Sequence, residues 1–274
     1  MAYALTTTGT TAGGNPAGGN PGLADTMASE WVKLRTLRTT LVTITLVGLF
    51  GVGLSALVCF LVASHGAQPN TPAPLQVIQG GWELALLTVM VFGVMAVTNE
   101  FSSGLAVSTY LATPKRTRVL VAKVAVFTLV VFVATEVFSF VGFFLGHAII
   151  GAYPAFPNVS LSDNNVLRCV VGMGIFSTLL GLLGMGAGAI IRHTAGGIAA
   201  CVGFIFILPG LLSALPASWS NPIGEYWPTQ AGHRLITVAQ GAHELTAWWG
   251  AADLAGFVVL LLVVAGVVLN RHDT

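Results

Sequence analysis

Six stretches of the chain read as long, nearly unbroken apolar runs, at about 41–63, 80–99, 119–147, 166–191, 195–215 and 248–269. Each approaches or exceeds the roughly 20 residues that an α-helix needs to cross the hydrocarbon of a bilayer. The third is long enough to predict a tilt or an interfacial turn. Only Arg192-His193-Thr194 parts the fourth from the fifth, so a tight hairpin is expected there, with its charges outside the hydrocarbon. Ahead of the first run, Leu23, Met27, Trp31 and Leu34 recur at three- and four-residue spacing, and Ser29, Lys33 and Thr36 fall on the other side. The pattern predicts a short amphipathic helix over about 25–38, capped by Asp25 or Thr26 and lying in the plane of the membrane surface. Between the fifth and sixth runs, Leu235, Ile236, Val238, Ala239, Ala242 and Leu245 form an apolar arc opposite His233, Thr237, Gln240 and Glu244. This predicts a short outer helix. Residues 1–22 are rich in Thr, Gly, Asn and Pro and hold almost no apolar surface, so they are expected to form a disordered tail and not a signal peptide.

Composition supports an all-α integral membrane protein. Hydrophobic residues make up 55% of the 274 and charged residues 8%, where a soluble domain carries about 25% charged. A chain this poor in charge has too few polar groups to cover a water-facing surface, which excludes a soluble enzyme. Net charge is +1, so no bulk basic character points to nucleic acid. Cys59, Cys169 and Cys201 lie far apart in or beside apolar runs and read as packing residues.

Placement of the charges sets an expected orientation. Lys33, Arg35, Arg38, Lys115, Arg116, Arg118, Lys123, Arg192 and Arg271 fall on one side of the six spans, and only Arg168 and Arg234 on the other. Lys and Arg concentrate on the cytoplasmic side, so both termini are expected inside. Trp82, Trp219, Trp227, Trp248 and Trp249 would then belong to an aromatic belt at the outer boundary.

Several chemistries find no footing. The chain has no P-loop and no Gly-Lys pair. His243-Glu244 begins like a zinc-protease helix, but Ala247 stands where the second His must be. No Gly-x-Ser-x-Gly elbow occurs. Glu136 is the anomaly, a carboxyl near the middle of the third run, where a charge costs a few kcal/mol at least. His147 follows eleven positions later, about 16 Å along the axis and on nearly the same face. The two mark a substrate or proton path, or Glu136 is neutral and hydrogen-bonded to a neighbouring helix. The fourth run carries Gly172, Gly174, Gly181, Gly184, Gly186 and Gly188, and Gly181, Gly184 and Gly188 suit close helix packing in a bundle or a dimer. Between the second and third runs, Glu100 to Pro114 leads into Lys115-Arg116-Thr117-Arg118, a docking segment for a soluble partner.

Four stretches, in this order, resemble the permease subunits of bacterial type-2 ABC exporters, particularly the actinobacterial kind that exports drugs and peptides. They are Ser29-Glu30-Trp31-Val32-Lys33-Leu34-Arg35-Thr36-Leu37-Arg38-Thr39-Thr40, the segment from Glu100 to Lys123, Ile191-Arg192-His193-Thr194-Ala195-Gly196, and Asn270-Arg271-His272-Asp273-Thr274. Tyr226-Trp227-Pro228-Thr229-Gln230-Ala231-Gly232 is also similar. His193, Asn270 and His272 stand where similar chains often have Ser or Arg.

The resemblance implies a permease domain over 23–274 in the bacterial plasma membrane. ATP and Mg would sit on a separate ATPase subunit and no cofactor on this chain. A second permease chain, the same or different, would complete the path. Coupling to the ATPase would fall to Glu30, Lys33 and Arg35 and to Glu100, Ser103, Gly104, Pro114, Lys115, Arg116 and Arg118. Glu136 and His147 are the candidates for the translocation path. Two other readings stay open: a membrane-embedded enzyme with Glu136 and His147 as acid and base, and a non-transporting scaffold or sensor whose loop binds a partner.

Overall fold

The computed structural model of the chain describes residues 22–66, 72–102, 116–154, 156–157, 159–212, 214–238 and 246–271. Among them all regular structure is helical. Six helices are long and apolar enough to cross a membrane: Arg38–His65, Trp82–Phe101, Arg118–Gly151, Val166–Ile191, Thr194–Leu212 and Ala247–Leu269. They lie within a few residues of the bounds expected from the apolar runs, and the chain is a helical bundle compatible with a multi-pass membrane protein. The 1–22 tail lies outside the described residues except for Gly22.

The fourth span is the axis of the bundle. Of its most apolar window 72% is buried, against 11% for the fifth span. Its glycines explain how. A Cβ on Gly93 of the second span would overlap the Gly181 carbonyl oxygen, and one on Gly184 would overlap that of Met90. A Cβ on Gly188 would stand 2.9 Å from the Val94 carbonyl oxygen. The second and fourth spans therefore cross backbone to backbone, which only residues without side chains permit. Gly186 serves a different neighbour, Leu261 of the sixth span, and Gly172 faces Leu235. These glycines seat several elements of the same chain around one helix.

A turn follows the third span directly, where the Tyr153 N–H donates to the Ile150 carbonyl at 3.0 Å. The span itself belongs to one uninterrupted helix, Arg116–Gly151, of 36 residues, about 54 Å at 1.5 Å per residue. One end packs in the main core beside Phe127 and Val131. The other helps to close a second apolar cluster with Cys59, Ile78, Phe143, Ile150 and Cys169. The first and fifth spans each contain a wider π-turn, Leu49–Leu54 and Gly203–Ile207. In the first span this turn brings Gly51 against the Trp82 ring, and the Gly81 N–H donates to Ser55 Oγ at 3.1 Å. Trp82 is consequently buried in the core, not placed in a boundary belt, whereas Trp219, Trp248 and Trp249 are largely exposed.

The hairpin between the fourth and fifth spans has a local cause. Arg192 takes a left-handed φ of 57° and donates its N–H to the Gly188 carbonyl at 2.8 Å, which ends one helix. His193 is the N-cap of the next, its Nδ1 accepting from the Gly196 N–H at 3.2 Å. The guanidinium of Arg192 lies over the Phe101 ring, 5.5 Å from its centroid.

A helix over Leu23–Thr36 precedes the first span. Gly22 is its N-cap, and Asp25 reaches back to accept the Gly22 N–H at 2.9 Å. The face turned toward the bundle is rotated from the apolar stripe: Thr26, Glu30 and Leu34 are buried, while Leu23 and Trp31 are about half exposed. Burial of Glu30 is made possible by Lys33 on its own helix and Lys123 on the helix of the third span, which leaves Leu23 and Trp31 to face outward. Between the fifth and sixth spans the helices run over Ala217–Glu225 and Pro228–His233, followed by a tight 3-10 turn at Arg234–Ile236. Leu235 and Ile236 of the expected arc are buried in that turn. Ala239, Ala242 and Leu245 lie outside the described residues.

Candidate functional site

At the basic end of the bundle four charged side chains close a ring across three helices. Glu30 of the leading helix accepts from Lys33 Nζ at 2.6 Å and from Lys123 Nζ at 2.7 Å. Glu100, at the end of the second span, accepts from the same two ammonium groups, at 2.8 Å from Lys123 and 3.3 Å from Lys33. Two carboxylates and two ammonium groups sum to zero charge, and each carboxylate touches both cations. The side chains of Glu30, Lys123 and Glu100 are 3%, 10% and 17% exposed, and Lys33 is 38% exposed. A charge with so little access to water is tolerated only when paired and hydrogen-bonded, and the ring meets that condition.

The electrostatics follow the geometry. Burial works against the charge on Glu30, but Lys123 and Lys33 outweigh it and hold the carboxyl below the usual range. Burial also opposes the charge on Lys33, and Glu30 with Glu100 overcomes it and raises the ammonium above its ordinary value. Both shifts favour the ionised ring.

The ring joins the end of the second span to the start of the third, because Glu100 precedes residues 103–115 and Lys123 follows them. Glu30, Lys33 and Glu100, read from sequence as contacts for a partner, are here one another's partners. Arg35 is exposed at the same end, and Arg118 is half-buried in the first turn of the long third helix. Arg116 begins that helix. Ser103, Gly104, Pro114 and Lys115 lie outside the described residues. Lys123 is the member that sequence reasoning missed. It had been counted only as a positive charge near a membrane surface, yet a lysine seven residues inside a helix should prompt a search for a carboxylate, and Glu30 and Glu100 were both available.

Glu136 and His147 are separated along one straight helix by about 16 Å. Each has its own surroundings. Glu136 Oε2 packs against Gly174 of the fourth span without a hydrogen-bond partner among the described residues. His147 stacks on Phe143 with ring centroids 6.1 Å apart and planes 9° from parallel. Direct proton exchange between the two is out of reach.

The opposite end of the bundle is organised by Arg168. Its guanidinium donates to the carbonyls of Arg234 and Leu235, both at 3.0 Å, and of Thr237 at 2.8 Å. It therefore fixes the segment that leads away from the Arg234–Ile236 turn. No group of three or more His, Cys, Asp or Glu suited to a metal ion occurs among the described residues. No protein-family model matches the chain, and no curated protein matches it either.

Proposed function

We propose that this chain is the membrane-spanning permease subunit of an ATP-driven ABC exporter, working as a dimer and powered by a separate ATPase subunit. The single observation that carries the reading is the Glu30–Lys33–Glu100–Lys123 ring. It ties the leading helix to Glu100 before residues 103–115 and to Lys123 after them, so a force applied between the second and third spans reaches both spans and the leading helix together. A subunit that takes its energy from outside needs such a junction on the side where the energy is supplied. In this reading the basic end faces the cytoplasm, the leading helix lies at the inner membrane surface with Leu23 and Trp31 toward lipid, and Pro228–His233 faces outward. ATP-driven closure of the partner shifts the population between conformers of the path only if the partner binds one of them better. Drugs and peptides are the cargo class suggested by the resemblance.

A charge exchange tests the junction. Lys123→Glu leaves three carboxylates and one ammonium, and it should abolish export and the copurification of a P-loop ATPase in mild detergent. Combining it with Glu100→Lys restores two charges of each sign and should recover both. Full export by the purified chain alone, or by the Lys123→Glu variant, would overturn the proposal.

A further inference from the structure

Two cavities lie side by side at the end of the bundle opposite the charged ring. One, of about 200 Å³, runs between the second, fourth and fifth spans and the Pro228–His233 helix, and its walls include Leu87, Met90, Phe176, Leu180 and Phe206. The other, of about 250 Å³, opens toward Gln76, Gln79 and Met173. Glu83, Leu86 and His233 line both, so the two adjoin as lobes of a divided chamber with a carboxylate and an imidazole in the shared wall. His233 Nε2 stands 3.7 Å from Glu83 Oε1, and the His233 ring meets Phe176 edge to face.

Polar side chains line both lobes: Glu83, Thr229, Gln230 and His233 in the first, and Gln76, Gln79, Glu83, His233 and Thr237 in the second. Thr229 is 5% exposed, and its Oγ1 is buried without a hydrogen-bond partner among the described residues while the residue lines the first lobe. A buried hydroxyl in that condition costs free energy that a ligand can recover. Gln230 lines the same lobe. Among the described residues Glu83 is the one formally charged side chain lining either lobe. The first lobe is an apolar pouch with a carboxylate, a vacant hydroxyl and an amide in its lining, the general form of a small-molecule site.

We propose that this chamber binds a small amphipathic cation, an aromatic or alkyl body carrying a protonated amine. The ammonium pairs with Glu83 and donates to Thr229 Oγ1. The apolar body lies among Leu86, Met90, Phe176 and Leu180. An anion of the same shape meets the Glu83 carboxylate and is repelled. Binding is a property of this chain by itself, so the inference stands or falls independently of the transport reading.

The test uses three compounds with one skeleton, phenylbutylamine, phenylbutanol and phenylbutyrate, titrated calorimetrically against the full chain in uncharged detergent, with partition into empty micelles subtracted. The amine should bind saturably at one site per chain, about tenfold or more tighter than the alcohol, as a hydrogen bond to a charged group predicts; the carboxylate should not bind. Glu83→Gln should remove that advantage for the amine and leave the alcohol within about twofold, and Thr229→Val should weaken the amine several-fold. Equal affinity for amine and alcohol on the unaltered chain, no saturable binding of the amine, or an unchanged amine affinity in a folded Glu83→Gln chain would each overturn the proposal.

Discussion

Lys123 Nζ lies 2.7 Å from Glu30 Oε2 across 93 positions of sequence, and both side chains are nearly sealed from water. The contact fastens a helix that precedes the first span to a helix that forms the third. Removing one member of a buried pair is far more damaging than removing both, because the survivor keeps its desolvation cost without its partner. Glu30→Gln should therefore destabilise the bundle by roughly 3–5 kcal/mol. Adding Lys123→Met to that variant should return part of the loss. Denaturant unfolding in detergent, run as a double-mutant cycle, measures both; additive losses would mean that the two side chains do not interact.

The ring also sets a pH range. The Glu30 carboxyl is held below its ordinary 4.5, so its contribution is fully present above that value and is lost as pH falls through the lowered one. Lys33 is raised above its ordinary 10.5, so its contribution is present below that value and is lost as pH climbs past the raised one. Docking of the leading helix should be flat between 4.5 and 10.5 and should fail outside both limits. A spin label at Ala28→Cys reads this, since Cys59, Cys169 and Cys201 are buried. Its motion should increase at the acid and alkaline ends, and a transition near neutrality would contradict the assignment.

Close crossing of the second and fourth spans makes a sharp contrast between glycines. A methyl group at Gly93 has the Gly181 carbonyl in its place, whereas one at Gly256 meets nothing within 4 Å. Gly93→Ala should cost about 1–3 kcal/mol, the usual range for overpacking a tight interior. Gly256→Ala should be neutral or slightly stabilising, since alanine favours the helix. Thermal melts of the two variants in the same detergent decide the matter, and similar losses would refute the crossing.

Arg168 donates to three carbonyl groups, of which that of Arg234 also accepts from the N–H and Oγ1 of Thr237. Arg168→Ala should free the 234–237 segment, with faster amide hydrogen exchange there and little change at the charged ring. Arg168→Lys should restore only part of the protection, because an ammonium is not the planar fork that spans separate carbonyls. Equal exchange in all three chains would show that the turn holds without the guanidinium.

The sequence made the spans legible because lipid leaves one option: about 20 apolar residues in a helix with all of its backbone satisfied. The tight Arg192-His193 turn was legible for the same reason. Which face of a helix turns inward was not. Leu23 and Trp31 suggested one face, and Glu30 turned another inward because two lysines, one of them 93 positions away, were waiting for it. Trp82 was assigned by residue type to an aromatic belt, but the π-turn of the first span leaves a flat surface at Gly51 that receives its ring. The chamber opposite the charged ring left no local mark either. Glu83, Thr229 and His233 are ordinary residues in sequence, and only the fold of the segment between the fifth and sixth spans against the second span gathers them.

The unbroken 36-residue helix that contains the third span is much longer than the roughly 30 Å of hydrocarbon it would traverse. It has no proline and no widened turn to absorb bending. Lys123 near one extremity joins it to the charged ring, and Phe143 and Ile150 near the other join it to the second apolar cluster, so one continuous run of helical hydrogen bonds connects the two ends of the bundle.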